Sequence, residues 1–306
     1  MSLARRSTPQ GSELLVFAIT PPRVSVDRQR AQEIADLTRR RLGDVDLDAL
    51  ILYDIDDESD RNPAERPFPF LPTIDPAHFR AHYLADWTTP VVVYRAVGKY
   101  SESDLREWLD GQDPDNTWTV FVGASSRHKR PETSLARAQE LWADARPDLP
   151  LGGVAIPERH TRRGQEHQRL IAKQEAGCSF FVTQVVYDVN AAKNLVSDYR
   201  YECAARGLAP VPMVFTFSVC GSLKTLEFLA WLGVDVPRWI QNDLRHSGNT
   251  LATSYEHSLG AARELIHYCR GMGMPFGVNI ESVSNRLAEI EASVNLAHDL
   301  ARELRR

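Results

Sequence analysis

The chain has 306 residues, of which 43 % are hydrophobic and 25 % are charged, and its formal net charge is −5. This composition is typical of a globular protein with a sizeable core, and the acidic balance argues against binding to nucleic acid or to an anionic membrane. No apolar run approaches the roughly 20 residues of a membrane helix, and the first residues lack the apolar core of a secretory signal. The sequence therefore predicts a cytoplasmic protein.

The four cysteines are consistent with that compartment. They form no CxxC pair and fall in or beside predicted core elements: Cys178, Cys203, Cys220 and Cys269. Such cysteines are typical of buried free thiols rather than of disulfides or a metal site. We expect no bound metal.

The first half of the chain alternates short β-rich runs with amphipathic helices. Strands are predicted at 14–20, 49–55, 90–97 and 117–124, and helices at 26–42, 78–87, from 101 onward and at 134–145. Ser101 with Asp104 three residues on is a variant of the capping box that begins a helix. Residues 56–73 form a long irregular stretch, and a loop of that length in a compact domain usually has a function or covers a ligand.

The second half continues the alternation. Strands are predicted at 151–158, 177–188, 211–218 and 276–281, and helices at 164–176, 190–206, 223–232, 237–244, 255–271 and 285–304. The stretch 177–188 is nearly all apolar around one amide, Gln184, which is typical of a strand buried on both faces. An unpaired buried amide costs about 1–3 kcal/mol, so Gln184 either bonds to a neighbouring group or contacts a ligand.

Eight strands that alternate with helices, with no break in composition, predict a single (β/α)8 TIM barrel over residues 1–306 with extra helices near the C-terminus. Residues 1–12 are predicted to form a flexible arm. The alternative is an open doubly wound sheet, which predicts a glycine-rich fingerprint after the first strand, whereas Pro21 and Pro22 follow that strand here. Barrels of this kind often associate, so we allow for a homo-oligomer.

In such a barrel the active site lies at the C-terminal ends of the strands. One interpretation of the polar residues there is a pocket with an acid/base pair such as Glu158 with His160. The other is a solvated rim whose charges pair among themselves. A divalent metal on Asp54, Asp56 and Glu158, or a nucleophilic Cys220, is less favoured. The full set is Tyr53, Asp54, Asp56, Asp57, Glu58, Asp60, Arg61, Arg95, Lys99, Ser125, Ser126, Arg127, His128, Glu158, His160, Gln184, Tyr187, Asp188, Thr216, Ser218, Cys220, Asn279, Glu281 and Ser282.

Three motifs occur in order along the chain. The first strand and its stop read FAITPP at 17–22, the turn after the fifth strand reads IPERH at 156–160, and the sixth strand reads GCSFFVTQVVYD at 177–188. Their order and strand positions resemble the methylenetetrahydrofolate reductase family, as does the segment VPRW that ends at Trp239. The resemblance implies a (β/α)8 barrel that binds FAD and passes hydride from NAD(P)H to methylenetetrahydrofolate.

The resemblance also assigns residues to a folate and a flavin. It implies that Gln184 contacts the pterin of a tetrahydrofolate derivative, since an amide can both accept from and donate to neighbouring groups on the pterin edge. A substrate-binding set adds Tyr187, Ser218 and Ser222, the last aligned with a folate-stacking phenylalanine of the family. The cofactor-binding set is Tyr53, Gly123, His160, Glu166 and Lys173.

The sequence departs from the family at several positions. The catalytic glutamate of the first strand is Ala18 here, and alanine cannot transfer a proton. Family residues on the third and fourth strands and before Pro-Glu are also replaced; they align with Val93, Val122, Ala124 and Ile156.

Three hypotheses follow from these departures. The first is a reductase in which Glu158, Asp54 or Glu281 replaces the missing glutamate. The second is a folate protein without flavin chemistry, which transfers a one-carbon unit or only binds folate. The third is a pocket adapted to an unrelated small molecule.

Overall fold

The structure is a computed structural model that describes residues 13–58, 62–123 and 130–305. Eight parallel strands pair in chain order and close into a barrel, which confirms the predicted (β/α)8 fold. The strands are β1 (Glu13–Ile19), β2 (Ala49–Leu52), β3 (Val91–Ala96), β4 (Thr117–Val122), β5 (Leu151–Ala155), β6 (Phe180–Val185), β7 (Met213–Ser218) and β8 (Phe276–Glu281). The predictions made for residues 1–12 and for Asp60, Arg61, Ala124, Ser125, Ser126, Arg127 and His128 lie outside the described residues.

Helices surround the barrel. They are α1 (Arg28–Leu42), α2 (Pro76–Tyr83), α3 (Glu102–Asp110), α4 (Leu135–Ala145), α5 (Pro157–Arg163), α6 (Glu166–Glu175), α7 (Val189–Ala205), α8 (Leu223–Trp231), α9 (Arg238–His246), α10 (Thr250–Met272) and α11 (Leu287–Leu304). The Ser101–Asp104 capping box begins α3 as predicted. Extra helices lie between β5 and β6 as well as between β7 and β8, and none of the described helices combines the length and apolar character that crossing a bilayer demands.

Alternate residues of each strand fill the barrel interior. Leu14, Val16 and Ala18 of β1 belong to one buried cluster with Trp118 of β4 and Phe180 of β6. The rings of Trp118 and Phe180 lie 4.9 Å apart between centroids. The inside of the barrel is therefore a packed core, and the active sites of such barrels lie at the C-terminal ends of the strands.

Gly152 of β5 makes room for this packing, because a Cβ at that position would lie 2.4 Å from the Phe180 ring.

The fifth strand is shorter than predicted. It ends at Ala155, and α5 begins at Pro157, so the prediction that the strand extends to Glu158 is wrong. Proline is favoured at the first position of a helix, since its fixed φ suits the helix and its missing N–H would have no partner there. Glu158 and His160 therefore lie on a helix, and this helix decides which neighbours they contact.

Gly177 ends α6 with a left-handed turn that leads into β6. Its φ is 103°, and the N–H groups of Gly177 and Cys178 donate to the carbonyls of Gln174 and Lys173, the two bonds of a Schellman cap. A Cβ at Gly177 would lie 2.5 Å from the Trp142 ring. The indole N–H of Trp142 donates to the Leu149 carbonyl at 2.8 Å, so the ring cannot easily move away.

We expect Gly177→Ala to lower the free energy of unfolding by about 2–4 kcal/mol, because it adds overpacking to backbone strain. Gly164→Ala is the matched control: Gly164 also has a positive φ, 64°, but nothing lies within 4 Å of its would-be Cβ. That control should cost only about 1–2 kcal/mol. Urea denaturation measures both, and equal losses in the two variants would show that the Trp142 contact contributes nothing.

Candidate functional site

The C-terminal mouth of the barrel places Glu281 next to Ala18. Glu281 is the register partner of Ala18 on β1 and of Ser218 on β7, so it lies between these two residues at the same height. Ala18 belongs to the interior cluster. The position that carries an alanine on β1 therefore has a carboxyl beside it on the adjacent strand.

A chain of hydrogen bonds holds Tyr53, the neighbour of Glu281, in place. The Tyr53 hydroxyl lies near the Glu281 carboxyl and accepts from Asn279 Nδ2 at 3.1 Å. The same Nδ2 donates to Thr216 Oγ1 at 3.1 Å, and Thr216 Oγ1 donates to the Thr183 carbonyl at 2.8 Å. The chain crosses the mouth from β2 through β8 and β7 to β6, so it fixes the Tyr53 hydroxyl beside that carboxyl.

The environment of Glu281 favours a bound proton near neutral pH. Burial raises the pKa of its carboxyl from 4.5 to about 7, and the nearby Tyr53 hydroxyl offsets part of that rise. A carboxyl with this pKa can release or accept a proton at neutral pH, which an ordinary glutamate does poorly.

Gln184 lies at the end of β6, where the strand register with β7 shifts between Val182 and Val185. Its side chain is half-buried, and Nε2 donates to the Leu232 carbonyl at the end of α8 at 3.0 Å. Among the described residues no donor reaches its Oε1. The amide is therefore fixed at one end and free to accept a hydrogen bond at the other.

The loop 62–73 connects the rim near β2 to α8. Asn62 Nδ2 donates to the Trp231 carbonyl at 3.3 Å, and Trp231 Nε1 donates to the Ala64 carbonyl at 2.9 Å. Arg66 packs its guanidinium 4.9 Å from the centre of the Phe228 ring. Because β1 and β8 lie between β2 and β7 in the barrel, the loop passes along the part of the rim that holds Glu281.

Asp54 belongs to a buried network outside the mouth. Its two oxygens accept from the Ala96 N–H at 2.8 Å, the Tyr100 hydroxyl at 2.7 Å and Lys99 Nζ at 2.5 Å. The Tyr100 hydroxyl also contacts Asp75, which pairs with Arg95. The structure therefore ties Asp54 to the segment after β3, whereas the adjacent Tyr53 faces the barrel interior.

Glu158 and His160 do not face each other. Glu158 is buried near Asp235, beside the segment that follows α8, and its Oε2 has no hydrogen-bond partner among the described residues. His160 Nε2 instead lies 2.9 Å from Asp198 Oδ2 on α7. The two side chains thus contact different neighbours, and the acid/base pair suggested by their spacing is not formed.

Burial raises the pKa of Glu158 from 4.5 to about 7, and this predicts a pH-dependent effect on stability. The folded chain binds this proton more tightly than the unfolded chain, so the stability that it contributes is present below about pH 4.5 and is lost as pH rises through about 7.

Glu158→Gln removes that loss. We expect the free energy of unfolding of the variant, relative to that of the wild type, to increase from pH 5 to pH 8 by at most about 3 kcal/mol. Urea denaturation at the two pH values measures the gain. A difference between variant and wild type that does not change with pH would contradict it.

The other predicted substrate-binding residues differ in how close they lie to Glu281. The Tyr187 hydroxyl donates to the Ser218 carbonyl at 2.9 Å, and its ring lies in the buried cluster formed with α8 and α9. Ser222 caps α8, with Oγ accepting from the Thr225 N–H. Ser218 is buried beside Glu281, and its Oγ lacks a partner among the described residues. Only Ser218 of these three adjoins the carboxyl.

The cysteines are buried and free, as predicted. The Cys220 thiol donates to the Ser222 carbonyl at 3.2 Å, and burial raises its pKa to about 12. A thiol with that pKa is protonated at neutral pH, which argues against the nucleophile considered from the sequence.

Comparison with known proteins places the chain in a family. Residues 145–271 match the family model described as methylenetetrahydrofolate reductase. A solved structure of an uncharacterized protein from Clostridium thermocellum is 40 % identical, with 98 % of this chain and 99 % of that chain aligned and a TM-score of 0.86. The chain belongs to the methylenetetrahydrofolate reductase family. The Clostridium protein is described as binding two copies of 5-methyl-5,6,7,8-tetrahydrofolic acid.

More distant structures share only the fold with this member of the reductase family. DmoA from Hyphomicrobium sulfonivorans is 13 % identical, with 96 % of this chain and 88 % of that chain aligned and a TM-score of 0.56. EDTA monooxygenase from Chelativorans sp. BNC1 is 11 % identical, with 95 % and 94 % aligned and a TM-score of 0.51. A search of curated proteins gives no match.

The reductase family binds FAD, and three of the residues aligned with its flavin contacts have partners within the protein here. His160 is buried and bonded to Asp198, and Glu166 is buried and accepts from the Ile156 N–H at 3.3 Å. Lys173 Nζ donates to the Val154 carbonyl at 2.5 Å. Each of the three thus has a partner within the protein, while His160 Nδ1 and Glu166 Oε2 have no hydrogen-bond partner among the described residues. Gly123, at the end of β4, has no side chain to offer.

Two mouth residues had no assigned role in the sequence. Tyr94 packs edge-on against Tyr53, with ring centroids 4.9 Å apart, and lines the interior. Tyr94 lies two residues after Val92 on β3, and side chains two apart on a strand face the same side, so this spacing could have predicted its position. Asn279 was expected at the rim, but its role as the link between Tyr53 and Thr216 depends on strand register, which the sequence does not give.

Proposed function

We propose that this member of the methylenetetrahydrofolate reductase family binds a reduced folate of the 5-methyltetrahydrofolate type in the mouth of the barrel, with its pterin against Glu281 and Gln184. The observation that carries the proposal is the position of Glu281, level with Ala18 on the neighbouring strand. It supplies a carboxyl beside the position where the resemblance places the family glutamate.

The two side chains complement a pterin edge. A pterin presents adjacent N–H donors, which one carboxylate can accept together, and it also carries carbonyl and ring-nitrogen acceptors. Gln184 can accept through Oε1 and donate through the second hydrogen of Nε2, since the first is used by Leu232. The binding of 5-methyltetrahydrofolate by the 40 % identical Clostridium protein supports the same ligand class.

Calorimetric titration with 5-methyltetrahydrofolate tests the proposal. We expect the wild type to bind, and Gln184→Ala to bind about 3- to 10-fold more weakly through the loss of about one neutral hydrogen bond. Gln112→Ala is the matched control, because Gln112 also donates one bond to a backbone carbonyl, that of Trp108, but lies after α3. Absence of wild-type binding, or equal affinities of the wild type and Gln184→Ala, would refute the assignment.

The pKa of Glu281 favours a second candidate, the reductase activity of the family, because this carboxyl can deliver a proton at neutral pH. The test follows oxidation of NADH or NADPH with methylenetetrahydrofolate, with and without added FAD. Turnover that falls in Glu281→Gln but not in Glu158→Gln would support the activity. Absence of turnover under every condition would exclude it and leave folate binding intact.

A further inference from the structure

Three neighbouring helices each contribute one metal-binding side chain to one cluster. His160 lies on α5, His167 on α6 and Asp198 on α7. One ligand atom from each of the three lies within 4.8 Å of the other two. Among the described residues this is the group of histidine and acidic side chains that meets the geometry of a shared ion.

The histidines have unused nitrogens. His160 Nε2 lies 2.9 Å from Asp198 Oδ2, and the two imidazole rings meet edge to face with centroids 5.3 Å apart. The Nδ1 atoms of His160 and His167 are both buried and have no hydrogen-bond partner among the described residues. His160 is only 5 % exposed, and the nitrogen that it offers to a shared ion is Nε2, the one that faces Asp198.

The distances suit zinc after small side-chain rotations. Zinc–ligand bonds of about 2.0–2.2 Å put neighbouring ligand atoms about 3.3 Å apart in a tetrahedral site. The observed separations, 2.9 Å for one pair and up to 4.8 Å for the set, lie on either side of that value. The Asp198 side chain is 54 % exposed, which leaves a path for the ion and room for water as a fourth ligand.

We propose that His160, His167 and Asp198 form a binding site for Zn²⁺ that joins α5, α6 and α7. Two neutral imidazoles and a carboxylate are a common zinc donor set. Because α5 follows directly after β5, the ion would hold this helix against α7 and thereby steady one side of the rim. The site is independent of the proposed folate function.

The experiment titrates chelator-treated full-length protein with Zn²⁺ by calorimetry, and with Co²⁺ by visible absorption, which reports tetrahedral coordination. We expect one ion per chain and a higher Tm with Zn²⁺. His167→Ala and Asp198→Asn should each weaken binding by more than the roughly 10–100-fold lost when only a ligand's hydrogen-bond partner is removed. These two positions are partly or fully exposed, so both variants should fold even if a His160 variant does not.

A second histidine pair provides the matched control. His78 and His82 stack on α2 with ring centroids 4.2 Å apart, and such a pair can also chelate metal ions. The double variant His78→Ala, His82→Ala should bind Zn²⁺ as the wild type does. The proposal is overturned if the wild type binds no ion, if His167→Ala retains wild-type affinity, or if the α2 double variant loses the binding.

Discussion

Glu281→Gln is expected to weaken binding of 5-methyltetrahydrofolate by about 2–3 kcal/mol, or roughly 30- to 150-fold. The glutamine keeps the shape of the side chain but offers one carbonyl oxygen instead of a carboxylate, so the charge-assisted bonds to the pterin donors are lost. The hydrogen-bonded chain of Tyr53, Asn279 and Thr216 does not include the Glu281 side chain, so we expect it to stay intact in the variant. Calorimetric titration at pH 8 measures the difference.

The same pair of proteins should differ in pH dependence. Because the pKa of Glu281 is raised to about 7, wild-type affinity should increase as pH rises from 6 to 8 and the carboxyl ionises. Glu281→Gln has no such group and should show a flatter profile. Glu158→Gln is the control, since it removes another carboxyl of similar pKa that lies on α5 and should leave the profile unchanged. Parallel profiles for wild type and Glu281→Gln would contradict the role of Glu281.

Asp54→Ala is expected to lower the free energy of unfolding by about 3 kcal/mol, because it removes the acceptor of three donors in a buried network. The Asp54 side chain is 1 % exposed, while its partner Lys99 is 27 % exposed and can reach water, which keeps the cost at the low end for a broken buried pair. Urea denaturation with titration of 5-methyltetrahydrofolate separates stability from binding.

The matched control for Asp54→Ala is Glu264→Ala, which breaks the exposed pair with Lys193 and should cost no more than about 1 kcal/mol. Folded Asp54→Ala should keep folate affinity within about threefold, or less than 1 kcal/mol. A much larger loss of folate affinity with unchanged stability would contradict the structural role of Asp54 and would favour a role in the folate site.

The barrel could be predicted because each of its strands leaves a local signal. Buried parallel strands read as short apolar runs, and the Pro-Pro stop after β1 argued against the alternative sheet. The strand lengths were less predictable, as at β5, where a helix beginning at Pro157 ends the strand before Glu158.

The candidate site was harder to predict, because three carboxylates follow strands and sequence alone does not rank them. Strand alternation explains part of the outcome: Ala49, Ile51 and Tyr53 face the interior, so Asp54 points away from it. The register that puts Glu281 beside Ala18 comes from barrel closure between β1 and β8, the most distant strands in the chain. Pairing between strands so far apart in the chain leaves no pattern in the local sequence of either strand.

The most direct test of the central claim is a crystal structure of the protein soaked or grown with 5-methyltetrahydrofolate. The pterin is expected in the mouth, with its N–H donors within about 3 Å of the Glu281 carboxylate and a polar atom within the same distance of Gln184. A folate bound elsewhere, with the mouth around Glu281 and Ala18 holding only water, would contradict the proposed function.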